Sequence, residues 1–244
     1  MASIRTTLAF DAYGTLLSTE SIAKKLASHF GRDKAKVIAT TWRRYQLEYT
    51  WRLNSMKVYE DFTTITRRSL RHALAESSVE LNEQQVEEMM EAYDSLSVFP
   101  DVATTMETLQ ANPKLRAVVF SNGTRRMVTS SVKNSPDLAK YSHIFEDVVV
   151  VDDVQVFKPA PETYLHLVRK LGGDPSKLED LAQVWLVSGN PFDILGARHA
   201  GLNAIYVDRA GVGWQDALVD DEDKGRPTKI VTSLDQVISH VAHV

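Results

Sequence analysis

The chain has 244 residues, 43% hydrophobic and 25% charged, with 28 Lys+Arg against 32 Asp+Glu for a net charge of −4. This is ordinary globular usage, at a length that suits one main domain carrying a smaller insert. The absence of cysteine excludes disulfides, thiolate metal sites and a thiol nucleophile, and basic residues scattered apart from pairs such as Arg43-Arg44, Arg67-Arg68 and Arg125-Arg126 leave no continuous positive face for nucleic acid.

The first short apolar run, 8–10, reads as a buried strand and leads into Asp11-Ala12-Tyr13-Gly14-Thr15-Leu16. In a parallel sheet the residues just past a strand's carboxyl end face the ligand crevice, which places Asp11 where a catalytic carboxylate would stand. The bland alternative is an aspartate capping a turn. Gly14 permits a tight loop, and the Thr15 hydroxyl can orient a neighbouring carboxylate. From 18 to 98 the pattern is helical only, too long for one crossover, and reads as an inserted helical unit. Ile22, Leu26 and Phe30 recur every four residues and stop at Gly31; a second helix spans about 34–53; Asn82 with Gln85 forms a capping box ahead of Val86, Met89, Met90 and Tyr93. Pro100 marks the return to the sheet.

A helix at 102–110 precedes a strand at 115–120 that ends in Ser121-Asn122-Gly123-Thr124, a hydroxyl, an amide and a glycine suited to holding an anion, or equally to an ordinary helix cap. A strand at 148–151 follows, then Val156-Phe157-Lys158-Pro159, which sets a lysine in a loop before a helix at 162–171. The strand at 184–187 ends in Ser188-Gly189-Asn190-Pro191-Phe192-Asp193, a helix covers 193–200, and a last strand lies at 204–207. Strands alternating with helices imply a parallel sheet covered on both faces. The run Asp220-Asp221-Glu222-Asp223-Lys224-Gly225 reads as a solvated loop, and the seven histidines lack the paired spacing of a metal site. The amino-terminal residues lack the apolar region of a signal peptide and no stretch reaches the ~20 apolar residues of a membrane span, so a cytoplasmic protein with no membrane partner is expected.

The four strand-end segments, in this order and spacing, resemble the four motifs of the haloacid dehalogenase superfamily over essentially the whole chain. Within it, the first motif, DAYGTL, and the block Trp42-Arg43-Arg44-Tyr45-Gln46-Leu47-Glu48-Tyr49-Thr50-Trp51 resemble the L-2-haloacid dehalogenases. The resemblance implies an α/β fold, a Rossmann-like three-layer parallel-sheet core at 1–15 and 100–244, with a helical cap at 16–99. It implies hydrolysis of short-chain L-2-haloacids to D-2-hydroxyacids through an ester on Asp11, with no cofactor and no metal. Asp193 would position or activate the water, and Lys158 would stand between the two carboxylates and reduce their repulsion. Arg43 and Asn122 would stabilise the halide, while Ser121 and the backbone donors from Ala12 onward would bind the substrate carboxylate. Tyr13, Leu47, Phe62 and Phe192 would form the apolar wall, with Thr15, Tyr164, Ser188 and Asn190 in support.

Phosphatases of the superfamily usually carry a second aspartate two residues after the nucleophile, as the proton donor to an alkoxide. Tyr13 stands there, and a halide needs no such donor. Their fourth motif commonly has Gly-Asp where this chain has Gly189-Asn190, which weakens a hard-cation site. The alternative is a phosphatase of small phosphomonoesters, with Mg²⁺ held by Asp11, the Tyr13 carbonyl and Asp193; a non-catalytic binding protein is a second alternative. A small-molecule partner is expected, and an exposed apolar face on the insert could support a homodimer. Departures from the family pattern are Gly189 for a small hydroxyl residue, Phe192 for a frequent Trp, and Arg44, which would add a second cation near the pocket mouth.

Overall fold

Runs of β-branched and large apolar residues supply the strands of a six-stranded sheet in the computed structural model, which describes residues 5–135 and 137–241. The strands are β1 (Thr7–Phe10), β2 (Arg116–Ser121), β3 (Phe145–Val150), β4 (Val184–Ser188), β5 (Asn203–Val207) and β6 (Lys229–Val231). All pairings are parallel and the order is β3-β2-β1-β4-β5-β6. The four residues of β1 are completely buried because they have a strand on each side and helices above and below. Strand order runs outward from β1 in one direction and from β4 in the other. Right-handed crossovers therefore put their helices on opposite faces and open a crevice at the carboxyl ends of β1 and β4. Register aligns Phe10 with Val119 and Val187, so Asp11 comes level with Phe120 and Ser188, with Ser121 one residue further along β2.

Between β1 and β2 lie α1 (Ile22–Phe30), α2 (Arg32–Met56), α3 (Phe62–Glu76) and α4 (Glu83–Tyr93), followed by α5 (Val102–Gln110). Gly31, at φ 74°, turns α1 into α2 in a conformation that a Cβ disfavours. At the start of α4 the capping box forms as its sequence implies: Asn82 Oδ1 accepts from Gln85 N at 2.9 Å and Gln85 Oε1 accepts from Asn82 N at 2.9 Å. The chain leaves and re-enters the sheet side by side, with Ser18 N donating to Ser97 O and Phe99 N to Leu16 O. Beyond β2 come α6 (Arg125–Asn134), α7 (Pro161–Lys170), α8 (Leu178–Ala182), α9 (Pro191–His199) and α10 (Val237–Val241).

Several expected boundaries move. The second cap helix is longer at both ends, β3 starts three residues earlier than the apolar run, and α3 and β6 have no counterpart in the periodicity reading. The acidic run is an exposed loop up to Lys224, as expected, whereas Gly225 is buried and accepts from the Trp214 indole at 3.0 Å. No helix among the described residues is long and apolar enough to cross a membrane. His243 and the first four residues lie outside the described residues.

Candidate active site

Asp11 follows β1 directly, and its backbone N–H donates to Val187 O at 3.0 Å, fixing the loop to β4. The Ala12 carbonyl closes that loop by accepting from Leu16 and Leu17 N–H at 3.0 and 2.9 Å. Asp11 Oδ2 accepts from Thr15 Oγ1 at 2.9 Å and from Asn190 Nδ2 at 2.8 Å, while Oδ1 accepts from Lys158 Nζ at 3.2 Å. Thr15 Oγ1 also accepts from Gly189 N at 2.9 Å, and Ser188 Oγ accepts from Asn190 N at 3.1 Å, so the β4 loop and the nucleophile loop hold each other. The two loops approach closely at Gly189, where a Cβ would sit 2.7 Å from the Gly14 carbonyl oxygen and force a shift.

Lys158 is 1% exposed and its ammonium donates to three oxygens: Asp11 Oδ1, Asp193 Oδ2 at 2.9 Å and the Phe120 carbonyl at 2.8 Å. It also stands 4.1 Å from the centre of the Phe120 ring, a favourable cation–π distance. Asp193, at the start of α9, is fully buried; its other oxygen accepts from Tyr164 Oη at 2.8 Å. Burial pushes the Asp193 carboxyl above the usual aspartate range despite the neighbouring lysine, and Asp11 pushes the same way. Burial and the Asp193 charge hold the Tyr164 hydroxyl well above its ordinary value, so it stays a donor.

On β2's side, Ser121 Oγ accepts from Gly123 N at 3.0 Å, and Asn122 Oδ1 accepts from Lys158 N at 2.9 Å. The latter bond fixes the Asn122 amide, leaving its N–H groups as what it can offer a ligand. From α2, Arg43 donates to Tyr13 O at 3.1 Å and to Gln46 Oε1 at 2.7 Å. Gln46 is buried and fully engaged, accepting also from Tyr93 Oη at 2.9 Å and donating to Thr66 Oγ1 at 2.7 Å. Tyr13 stacks against Phe62 and Tyr93, with ring centres 5.9 and 5.5 Å apart, and burial drives its phenol far above the ordinary value. A neutral phenol held so strongly is a poor proton donor to a leaving group.

These groups enclose a cavity lined by Asp11, Tyr13, Arg43, Leu47, Phe62, Ser121, Asn122, Lys158 and Phe192. Its free volume is about 10 Å³, room for a single water. A larger surface groove between α1 and α2, at Ala23 and Lys36, lies away from this chemistry.

The donor set does not fit Mg²⁺. Both Asp11 oxygens, both Asp193 oxygens and the Tyr13 carbonyl already accept from N–H or O–H donors; the Asn190 amide bridges Asp11 Oδ2 and the Tyr13 carbonyl, and the Lys158 ammonium bridges the two carboxylates. A hard divalent ion needs free oxygens and repels an ammonium.

A family model described as a haloacid dehalogenase-like hydrolase matches residues 6–201. The chain belongs to this family. Among curated haloacid dehalogenase-like hydrolases it is similar to the (S)-2-haloacid dehalogenase 4A of Burkholderia cepacia, with 33% identity over 202 residues, covering 83% of this chain and 82% of that protein. It is also similar to the (S)-2-haloacid dehalogenase of Xanthobacter autotrophicus, with 34% identity over 200 residues, 82% of this chain and 74% of that one. The solved structure of the L-2-haloacid dehalogenase from Xanthobacter autotrophicus with chloropropionic acid covalently bound superimposes with a TM-score of 0.82 at 29% identity, covering 98% and 99% of the two chains. This haloacid dehalogenase-like chain is a hydrolase of the (S)-2-haloacid dehalogenase-like kind, with the α/β fold and helical cap that the motifs imply.

One expectation for this family member is corrected. Arg44 does not reach the pocket mouth: it is exposed on the outer face of α2, stacks on Tyr45 at 4.7 Å and donates to both Glu76 oxygens at 2.9 and 3.1 Å. Arg43 and Arg44 are adjacent on a helix and so point about 100° apart, and only one can face the core. Missing from the sequence reading were Gln46 as the anchor of Arg43 and Asn54, which lies against the Lys158 loop. Asn54 Nδ2 donates to Phe157 O at 2.7 Å and Asn54 Oδ1 accepts from Phe157 N at 3.0 Å, pairing a cap side chain with both backbone groups of one core residue. The signal for Gln46 lay in spacing: it continues the Ile38, Trp42 stripe of α2 and is a buried polar residue in a core register.

Proposed function

We propose that the chain hydrolyses short-chain L-2-haloacids to D-2-hydroxyacids without a metal, through an ester on Asp11, in a core of residues 1–15 and 100–244 closed by a cap of residues 16–99. The observation that carries this reading is the environment of Asp11. It is a nearly buried carboxylate whose neighbour at position 13 is a phenol fixed in the neutral form, against an apolar wall and beneath a cap arginine. Such a site can displace a leaving group that departs as a stable anion and is poorly equipped to expel an alkoxide. The names of the curated relatives support the same class of substrate.

The substrate carboxylate sits against Ser121 and the N–H groups following Asp11, with its alkyl group on Tyr13, Leu47, Phe62 and Phe192. An Asp11 oxygen attacks C2 in line with the carbon–halogen bond, the halide leaves toward Arg43 and the Asn122 amide, and C2 inverts. The bonds to Thr15, Asn190 and Lys158 hold the carboxylate in the attacking orientation. Water then adds to the carboxyl carbon of Asp11 and gives its proton to Asp193. The bond from the Asp11 carboxyl carbon to the substrate oxygen breaks, the departing hydroxyacid takes that proton back, and the Asp11 carboxyl releases the second water proton to solvent, which leaves with the halide as net HX. Burial raises the basicity of Asp193, which suits it to this exchange. All of these groups come from one chain.

Incubation with L-2-chloropropionate and, separately, a phosphomonoester, each with EDTA or Mg²⁺ and beside Asp11→Asn, tests the proposal. Halide release unaffected by EDTA and lost in the variant is expected. Mg²⁺-dependent phosphate release without halide would overturn it.

A further inference from the structure

Leu47 and Trp51 lie one turn apart on the same face of α2. The first lines the catalytic cavity and the second lines a much larger groove at the seam between α2 and the sheet domain. Phe192 lines both, and the Trp51 ring meets its ring edge-on with centres 5.5 Å apart. The groove holds about 780 Å³ of free space against about 10 Å³ in the cavity. Its walls include Pro159 from the Lys158 loop, Leu195 from α9, and Leu218 and Val219 from the loop between β5 and β6. Trp51, Leu218 and Val219 are 40%, 82% and 39% exposed, three large apolar side chains turned to water around one opening. A contiguous apolar patch of this kind, joined to a reaction site, marks a place where a ligand completes the burial.

We propose that this groove is a subsite for the alkyl tail of longer 2-haloacids, with the Phe192 side chain as the partition between it and the catalytic cavity. The proposal rests on the dehalogenase reading. With C2 held at Asp11 and the substrate carboxylate at Ser121, the remaining substituent points toward the Leu47 and Phe192 wall. The closed cavity must enlarge to take any haloacid, and of its lining side chains Phe192 is the one that also borders the apolar groove, so displacement of that ring opens the cavity into it. Each methylene buried there adds roughly fourfold to kcat/KM.

The test is bromide release from the 2-bromo derivatives of propionate, hexanoate and octanoate by wild type, Leu218→Glu, Val219→Glu and Phe192→Ala. Wild type is expected to accept octanoate with kcat/KM at least equal to that for propionate. Both glutamate variants, at solvent-facing positions away from the cavity, should lose tenfold or more on octanoate while staying within twofold on propionate. Phe192→Ala should raise the octanoate-to-propionate ratio about tenfold. Octanoate turned over a hundredfold more slowly than propionate by wild type, or glutamate variants that depress both substrates equally, would overturn the tail subsite alone. Absence of bromide from 2-bromopropionate with wild type would instead defeat the dehalogenase reading on which the subsite depends.

Discussion

Lys158→Met removes a buried charge while keeping most of the side-chain volume. In the wild type the ammonium donates to Asp11, Asp193 and the Phe120 carbonyl, and the two carboxylate side chains are only 9% and 0% exposed. Without the cation two buried carboxylates face one another with no compensating charge, a situation that costs about 3–5 kcal/mol when one partner of a buried pair is deleted. At about 2–4 °C per kcal/mol for a chain of this size, the melting temperature near pH 8 should fall by about 6–20 °C. The sign of the pH dependence follows from Asp193. Its carboxyl already sits above the ordinary range through burial, and loss of the lysine moves it higher. A group whose folded pKa is raised favours the fold while protonated and loses that contribution as pH rises through the folded value. The deficit relative to wild type should therefore be largest at pH 8 and shrink toward pH 5, and a further Asp193→Asn change should restore part of the stability without restoring activity. Thermal melts followed by circular dichroism at both pH values measure this. Equal melting temperatures at pH 8, or a deficit that does not change with pH, would refute the electrostatic account of Lys158.

Asp193→Asn should stop the reaction after halide leaves, giving one equivalent of halide and a chain whose intact mass carries the acyl group; in the wild type the acid limb of turnover should fall at a pH above that of an ordinary aspartate. Asn54→Ala removes two hydrogen bonds between cap and core and should destabilise by about 1–3 kcal/mol, with faster amide exchange around Phe157 read by mass spectrometry. Gly189→Ala forces a Cβ against the Gly14 carbonyl, parting the Gly189 N–H from Thr15 Oγ1, and should lower kcat by tenfold or more with little change in circular dichroism.

The sheet was largely legible because β1, β2, β4 and β5 are short buried apolar runs, and because the rule that parallel strands deliver residues to their carboxyl-end crevice located Asp11, Ser121 and Asp193 without any contact information. The strand β6 escaped notice because it has three residues, one of them a lysine, and its Ile230 is 44% exposed at the sheet edge. Helix α3 was hidden by its Thr- and Arg-rich sequence, although Asp61 accepting from Thr64 N at 3.0 Å is a cap that the Asp-x-x-Thr spacing foreshadows. The direction of Arg44 and the pairing of Asn54 with Phe157 depend on how cap and core are set against each other. No local pattern encodes that.

The Asn54–Phe157 pair joins the cap to the residue immediately before Lys158, and Arg43 joins it to the carbonyl two residues after Asp11. A cavity with room for one water cannot admit a haloacid unless cap and core part. Parting them would withdraw Arg43 and break both Asn54 bonds to Phe157 in a single event. In the proposed reaction the arrangement would act as an interlock: the open form would exchange substrate and product with solvent but lack the cap arginine, while Asp11, Lys158 and Asp193 stay joined within the core. Stabilisation of the leaving halide by Arg43 would thereby be tied to the presence of something worth closing upon.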